Sequence, residues 1–220
     1  MKRFNWGLLV LVLVMTLGFS AAADKYVKAK FTTTPPTIDG VLDDEIWKQA
    51  EKKDDFLVST GGKPSQKTEF WVAWDRDYLY VAIKNYVNTE WLRQTVTEDN
   101  GPTWDDDENS VFINPAYPEL ASMLQYSFNS VPARNGLAYG GTNTPELDMW
   151  EVAIKTEKDF YTAEVKISFE SAEIWPEVGD EWGFNIGRNC TSVGEAYSWG
   201  VLINGNFIDA AGFGVVEFVK

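Results

Sequence analysis

Apolar and polar positions alternate along most of this chain with a period of two. Phe70, Val72 and Trp74 alternate with Glu69, Trp71 and Ala73, and Leu79, Val81 and Ile83 alternate with Tyr80, Ala82 and Lys84. Asp75-Arg76-Asp77 supplies turn residues between them, so the two runs predict a β-hairpin. A second hairpin follows from Val152 and Ile154, a Glu157-Lys158-Asp159 turn, and then Tyr161, Ala163, Val165 and Ile167. Trp182, Phe184 and Ile186 predict a further strand, and Gly214 to Val219 the last. Half-buried alternation favours antiparallel pairing with one wet face per sheet, not a parallel sheet sealed by helices. The expected fold is therefore all-β, an antiparallel two-sheet β-sandwich of the immunoglobulin or jelly-roll kind. The one helical signal is Asp43 to Ala50, where acids suit a helix N-terminus and Ile46 and Trp47 dock on the core.

The first residues break the pattern. Lys2 and Arg3 precede an apolar run from Gly7 to Phe19, and Ala21-Ala22-Ala23 offers a cleavage site. This predicts a signal peptide over residues 1–23, too short to span a membrane comfortably. The remainder, residues 24–220, has the length of one domain, and export to the periplasm or the extracellular space is the expectation. Cys190 is the only cysteine, so an intrachain disulfide is impossible and its expected role is that of a small buried hydrophobe.

Charge and histidine content narrow the chemistry. The net charge is −14, and removal of Lys2 and Arg3 with residues 1–23 leaves −16. Such a surface repels phosphate backbones and anionic lipid, so neither nucleic acid nor membrane insertion is expected. The sequence has 0 histidines, which removes His-dependent nucleophilic catalysis and the ordinary His-ligated zinc or haem site. Carboxylates remain, and these also bind calcium. Asp105, Asp106, Asp107 and Glu108 are the candidates, although the run lacks the spacing of an EF-hand loop.

Short motifs recur in order along the chain. Pro36-Thr37-Ile38-Asp39-Gly40-Val41-Leu42-Asp43-Asp44-Glu45-Ile46-Trp47 is followed by Trp74-Asp75-Arg76-Asp77-Tyr78-Leu79-Tyr80-Val81-Ala82. Then come Trp104-Asp105-Asp106-Asp107-Glu108-Asn109-Ser110-Val111-Phe112-Ile113-Asn114-Pro115 and Tyr161-Thr162-Ala163-Glu164-Val165. Gly179-Asp180-Glu181-Trp182-Gly183-Phe184-Asn185-Ile186-Gly187-Arg188 and Phe213-Gly214 complete the series. Together they resemble the family 9 carbohydrate-binding modules, sugar-binding β-sandwiches often appended to xylanases and other polysaccharide-degrading enzymes.

Two aromatics lie in loop-like sequence. Trp104 follows Gly101-Pro102-Thr103, and its flat indole suits the apolar face of a pyranose while nearby acids accept hydroxyl hydrogens. Phe207 lies in Asn204-Gly205-Asn206-Phe207-Ile208-Asp209. The resemblance implies that these two are the jaws of an aromatic clamp, with Phe207 standing where the family has a second tryptophan. It also implies polar contacts from Gln125 and Asn129, which alternation places with Ser127 on one face of a strand. Ser127 stands where the family usually has arginine, and Ser110 where it has glutamate. Trp47, Trp74, Trp182 and Trp199 fall at core positions, and Arg188 is read as a structural ion-pair partner.

The function expected from these residues is a secreted, non-catalytic domain that holds a neutral sugar or polysaccharide end and assists xylan or cellulose breakdown beside a separate glycoside hydrolase. Three alternatives remain open. A structural sandwich with a vestigial site would explain Ser110 and Ser127. A glycoside hydrolase needs two carboxylates flanking the scissile bond, and Asp107 and Glu164 are available although Glu164 lies at an outward position. A haem-binding redox domain would draw on Met123 and Met149.

Overall fold

The structure, a computed structural model, describes residues 25–120, 122–203 and 205–220. The signal peptide expected over residues 1–23 lies outside the described residues. In chain order the elements are β1 (Tyr26–Phe31), α1 (Glu45–Gln49), β2 (Leu57–Val58), β3 (Thr68–Trp74), β4 (Tyr78–Tyr86), β5 (Glu108–Asn114) and β6 (Met123–Asn129). They continue with β7 (Arg134–Tyr139), β8 (Trp150–Thr156), β9 (Phe160–Ser168), β10 (Glu181–Cys190), β11 (Glu195–Ser198) and β12 (Gly214–Val219). Both expected hairpins form, as β3–β4 and β8–β9, and the helix forms inside the expected segment.

The strands hydrogen-bond in the order β7-β6-β5-β10-β12-β1-β3-β4-β9-β8, with β11 branching from β10 to pair with β2. Strands far apart in this ladder nevertheless touch. Tyr126 of β6 meets Trp150 of β8 edge-on at 5.5 Å, and Phe70 of β3 lies 5.9 Å from Phe184 of β10. Asn85 Nδ2 of β4 donates to Asn109 Oδ1 of β5 at 2.7 Å. Such contacts require the ladder to curl over itself, and the result is a sandwich. One layer is β7-β6-β5-β10, the other is β3-β4-β9-β8, and β12 and β1 turn the corner between them. The all-β sandwich is thus as expected, while the two layers are continuous through the corner and not separate sheets. Pairing is antiparallel except at β1, which runs parallel to both β12 and β3. Alternation reports which side of a strand is buried, not the direction of its neighbour, so this exception left no trace in the pattern.

Aromatic packing fills the space between the layers. Trp74, Trp182 and Trp199 are buried, and Trp182 meets Phe218 at 4.9 Å and Phe169 at 5.6 Å, both edge-on. Each such pair contributes about 0.5–1.5 kcal/mol beyond area burial. Cys190 is a free, buried thiol in the same core. Arg188 is also buried, but among the described residues it has no ion-pair partner. Its guanidinium donates to Thr68 Oγ1 at 2.9 Å, Gln66 Oε1 at 3.0 Å and the Lys67 and Tyr86 carbonyls, and lies 5.5 Å over the Tyr197 ring. Its role is structural, through neutral acceptors in place of the expected carboxylate.

Trp47 packs elsewhere. With Ile46 it covers Ala73, Tyr80 and Ala82 on the outer face of the β3-β4-β9-β8 layer. Its indole Nε1 donates to Glu164 Oε1 at 2.6 Å, and Glu164 Oε2 accepts the backbone N–H groups of Gly40 at 2.8 Å and Asp39 at 3.1 Å. Glu164 therefore points outward from the main core but is not solvated, since the chain before β2 buries it. Gly40 makes that approach possible: at φ +83°, a Cβ there would lie 2.6 Å from the Lys155 backbone nitrogen.

Candidate functional site

A cavity of about 290 Å³ opens at the rim of the β7-β6-β5-β10 layer. The short 3₁₀ turn Thr103–Asp105 carries Trp104 to its edge, where the indole is 49% exposed. The loop before β12 brings Asn206, Phe207 and Ile208 to the same cavity. Phe207 is half-buried, and its ring lies parallel to Phe112 of β5 with centroids 6.5 Å apart. Gly187 of β10 makes room for this pair: a Cβ there would meet the Phe207 ring at 3.1 Å and the Phe112 ring at 3.2 Å. The two sequence-predicted jaws are thus brought to one cavity with different characters. Trp104 is a free-standing flap, and Phe207 is a shelf resting on the sheet.

The floor is polar and nearly neutral. Ser110 Oγ and Ser127 Oγ hydrogen-bond across β5–β6 at 2.6 Å, and Gln125 Nε2 donates to both, at 3.0 and 2.8 Å. Tyr139 OH donates to Gln125 Oε1 at 3.0 Å, fixing the amide. Gln125 and Ser110 line the cavity, whereas Ser127 is fully buried one position behind them. Asn129 is not brought to the site. Its Nδ2 donates to the Val96 carbonyl at 2.7 Å and to Asp106 Oδ2 at 3.0 Å, and its Oδ1 accepts from Ala133 N. It shares a strand face with Gln125, as alternation predicts, but lies at the end of β6, where it ties loops together.

Two contributors escaped the sequence reading. Tyr139 sits near the end of β7 and carries no motif. Glu108 was weighed only as a calcium ligand, yet it is two residues before Ser110 on the same face of β5, so the alternation already placed it here. Its carboxylate accepts Thr103 Oγ1 at 2.8 Å, Ser110 Oγ at 3.1 Å and Asn189 Nδ2 at 3.4 Å. Burial pushes its pKa up to about 7, against the lowering effect of the Thr103 and Ser110 hydroxyls. The site therefore has an acid two residues before Ser110 on the same strand, beside the position where the resemblance implies a glutamate.

Asp106 and Asp107, the next acids of the run, are taken up by hydrogen bonds within the fold. Asp106 accepts Thr95 N and Oγ1, Val96 N and Asn129 Nδ2, and Asp107 accepts Arg93 N, Ser192 N and Ser192 Oγ. Burial raises the Asp106 pKa, but these donors outweigh it and hold the carboxyl below the usual range. Both acids are buried and fixed inside the fold by these donors. Among the described residues, no group of three or more Asp, Glu and Cys side chains is placed to hold a metal ion. Asp107 and Glu164 do not form a catalytic pair either, since each is occupied by N–H or hydroxyl donors on a different layer. Met123 packs with Phe112 and Phe213 beneath the cavity.

Similar folds occur in solved structures. A family 9 carbohydrate-binding module from Caldicellulosiruptor kristjanssonii in complex with glucose is 19% identical, with a TM-score of 0.67 over 88% of this chain and 95% of that one. The structure of such a module from the same organism with cellotriose gives 20% identity, a TM-score of 0.67 and coverage of 89% and 94%. A Bacteroides uniformis protein reaches a TM-score of 0.71 at 15% identity, covering 88% of this chain and 99% of that one. No curated protein sequence matches. The family model described as carbohydrate family 9 binding domain-like matches residues 38–220, and the chain belongs to that family of non-catalytic binding domains.

Proposed function

We propose that the chain is a carbohydrate-binding domain that holds the terminus of a neutral sugar chain in the cavity between Trp104 and Phe207. One observation carries this reading: a half-exposed indole and a half-buried phenyl flank a floor of amide, hydroxyl and carboxyl groups, all within one cavity. That combination suits a pyranose, whose ring faces are apolar and whose edge carries hydroxyls. The volume lies near the small end of ligand pockets, about 300–1,000 Å³, which favours a sugar end over a long internal segment. The glucose and cellotriose bound to the Caldicellulosiruptor modules support the ligand class. The floor offers Gln125, Ser110, Asn189 and Asn206 for hydrogen bonds, with Glu108 as the one strong acceptor when ionised.

In this reading the chain is exported and works beside a separate glycoside hydrolase, keeping it near xylan or cellulose while contributing no bond cleavage. A structural sandwich with a vestigial site is the competing reading, and the 2.6 Å Ser110–Ser127 contact favours it, because hydroxyls bound to each other offer less to a ligand. Calorimetric titration of the purified domain with cello-, xylo- and manno-oligosaccharides separates the two. Saturable heat with at least one series supports the proposal, and none with any series supports the vestigial reading.

A further inference from the structure

A larger cavity, about 520 Å³, lies on the outer face of the opposite layer and shares no lining residue with the first. Its floor is set by cross-strand register. Glu69 of β3, Lys84 of β4, Thr162 of β9 and Lys155 of β8 are consecutive partners across four strands, with Trp71 two residues along β3 on the same face. The segment Val41–Asp43 and the Trp47 end of α1 form one wall, held in place by the Glu164 contacts described above.

The charge of this cavity departs from that of the molecule. Lys48, Lys52, Lys84 and Lys155 line it against Asp43, Glu69 and Glu157, a surplus of one positive charge in a chain whose net charge is −14. Glu69 is already neutralised by Lys52 at 2.9 Å and Lys67 at 2.7 Å. Burial raises its pKa, but hydrogen bonds from Lys67, Lys52 and Tyr86 prevail and hold it at about 2, so it stays a paired carboxylate. Lys84 and Lys155 have no carboxylate within 4.0 Å among the described residues. Lys84 Nζ instead stands over aromatic faces, 3.8 Å from the Phe160 centroid and 5.0 Å from Tyr86. Aromatic faces hold a cation in place without cancelling its charge. Trp71, half-buried beside it, offers a flat apolar surface.

We propose that this cavity is a second binding site, for an acidic sugar, with the pyranose ring on Trp71 and the uronate carboxylate at Lys84 and Lys155. A simple anion would use the lysines but not the indole, and a neutral sugar would use the indole but leave two ammonium groups unpaired. A uronate uses both. The choice of a sugar as carrier of the carboxylate rests on the carbohydrate-binding reading above, while the requirement for an anion rests on the lysines alone. The exposed acids Asp43 and Glu157 at the edge can accept hydroxyl hydrogens and disfavour anions that lack them.

The test compares tetragalacturonate, its fully methyl-esterified form and inorganic phosphate, followed by calorimetry and by amide chemical shifts in ¹⁵N-labelled protein. Tetragalacturonate is expected to bind, to shift amides of β3, β4, β8 and β9, and to weaken as salt is raised. The esterified chain should bind at least tenfold more weakly, and phosphate should leave the Trp71 indole resonance unmoved. Lys84→Gln together with Lys155→Gln should weaken tetragalacturonate at least tenfold while leaving neutral-oligosaccharide binding at the Trp104 cavity unchanged. Both lysines are solvent-accessible, so folding should survive, and the neutral-sugar titration serves as the check. Equal affinity for the esterified chain, equal effects from phosphate, indifference to the lysine changes or no binding at all would each overturn the proposal. If tetragalacturonate binds here while no neutral glycan binds at the other cavity, the second site stands and the neutral-sugar reading falls.

Discussion

Ser110 on β5 and Ser127 on β6 lie directly opposite each other, their hydroxyls 2.6 Å apart, and Gln125 donates to both. Two small hydroxyls thus stand where the family resemblance implies a glutamate and an arginine, and the cluster they form with Gln125 carries no formal charge. The consequence is a floor that positions Gln125 instead of pairing charges. Ser127→Ala should remove two hydrogen bonds and leave Gln125 less restrained. Each net hydrogen bond contributes about 0.5–1.5 kcal/mol, so chemical denaturation should show a loss of about 1–3 kcal/mol, with sugar affinity falling only a few-fold.

Trp104 and Phe207 should separate cleanly under mutation. Trp104→Ala removes a side chain that is 49% exposed, so the melting temperature should change little while affinity falls at least about tenfold, equivalent to about 1.4 kcal/mol. Phe207→Ala also deprives Phe112 of its stacked neighbour. It should weaken binding and lower stability by about 1–2 kcal/mol, below the 3–5 kcal/mol typical of a fully buried Phe. Paired calorimetric and thermal measurements on the two variants test the flap-and-shelf distinction.

Glu108 should make stability fall as the solution is brought from mildly acidic to neutral. Its carboxyl holds a proton up to about pH 7 when folded but only to about 4.5 when unfolded. Between those values the folded state binds more protons, so stability is greatest below about pH 4.5 for this group and is lost through about pH 7. The effect is at most about 3.4 kcal/mol, from about 1.36 kcal/mol for each pH unit of difference. Glu108→Gln should remove this share of the slope, leaving the part due to Glu164, whose pKa burial also raises against hydrogen bonds from Trp47, Asp39 and Gly40. Urea titrations of both proteins at pH 5 and pH 7.5 measure the difference.

Glu164 accepts three N–H groups from the segment before β2. Glu164→Gln keeps the size but turns an acceptor oxygen into a donor facing other donors. A buried donor left unpaired costs about 1–3 kcal/mol. The variant should lose about that much stability and expose Trp47, seen as a red shift in its fluorescence, while neutral-sugar binding at the far cavity stays intact.

The acids from Asp43 to Glu45 marked the helix carrying Trp47, and the pattern of alternation was enough to place both hairpins and the core tryptophans, because these depend on which side of a strand faces a core. It was not enough for β5 and β6. Their sequences alternate as half-buried strands do, yet every residue from Glu108 to Asn114 and from Met123 to Asn129 is buried. The polar face of these strands is covered by the Trp104 and Phe207 loops, and only the loop geometry reveals that. Glu164 misled in the same way, since alternation separates inner from outer but says nothing about a later cover. Trp104 and Phe207 were found through loop position and family resemblance, and Gln125 and Ser110 through shared strand face. Asn129 passed the same face test, but its amide is taken up by Val96, Asp106 and Ala133.

The central claim is that Trp104 and the Gln125–Ser110 floor grip a neutral sugar, and amide and indole chemical-shift mapping with a panel of cello-, xylo- and manno-oligosaccharides tests it most directly. The account predicts saturable shifts at the Trp104 indole, Phe207, Gln125 and Asn189 with at least one series, abolished by Trp104→Ala in a protein that stays folded. Saturation with shifts confined to another surface, or no shift with any member of the panel, would contradict it.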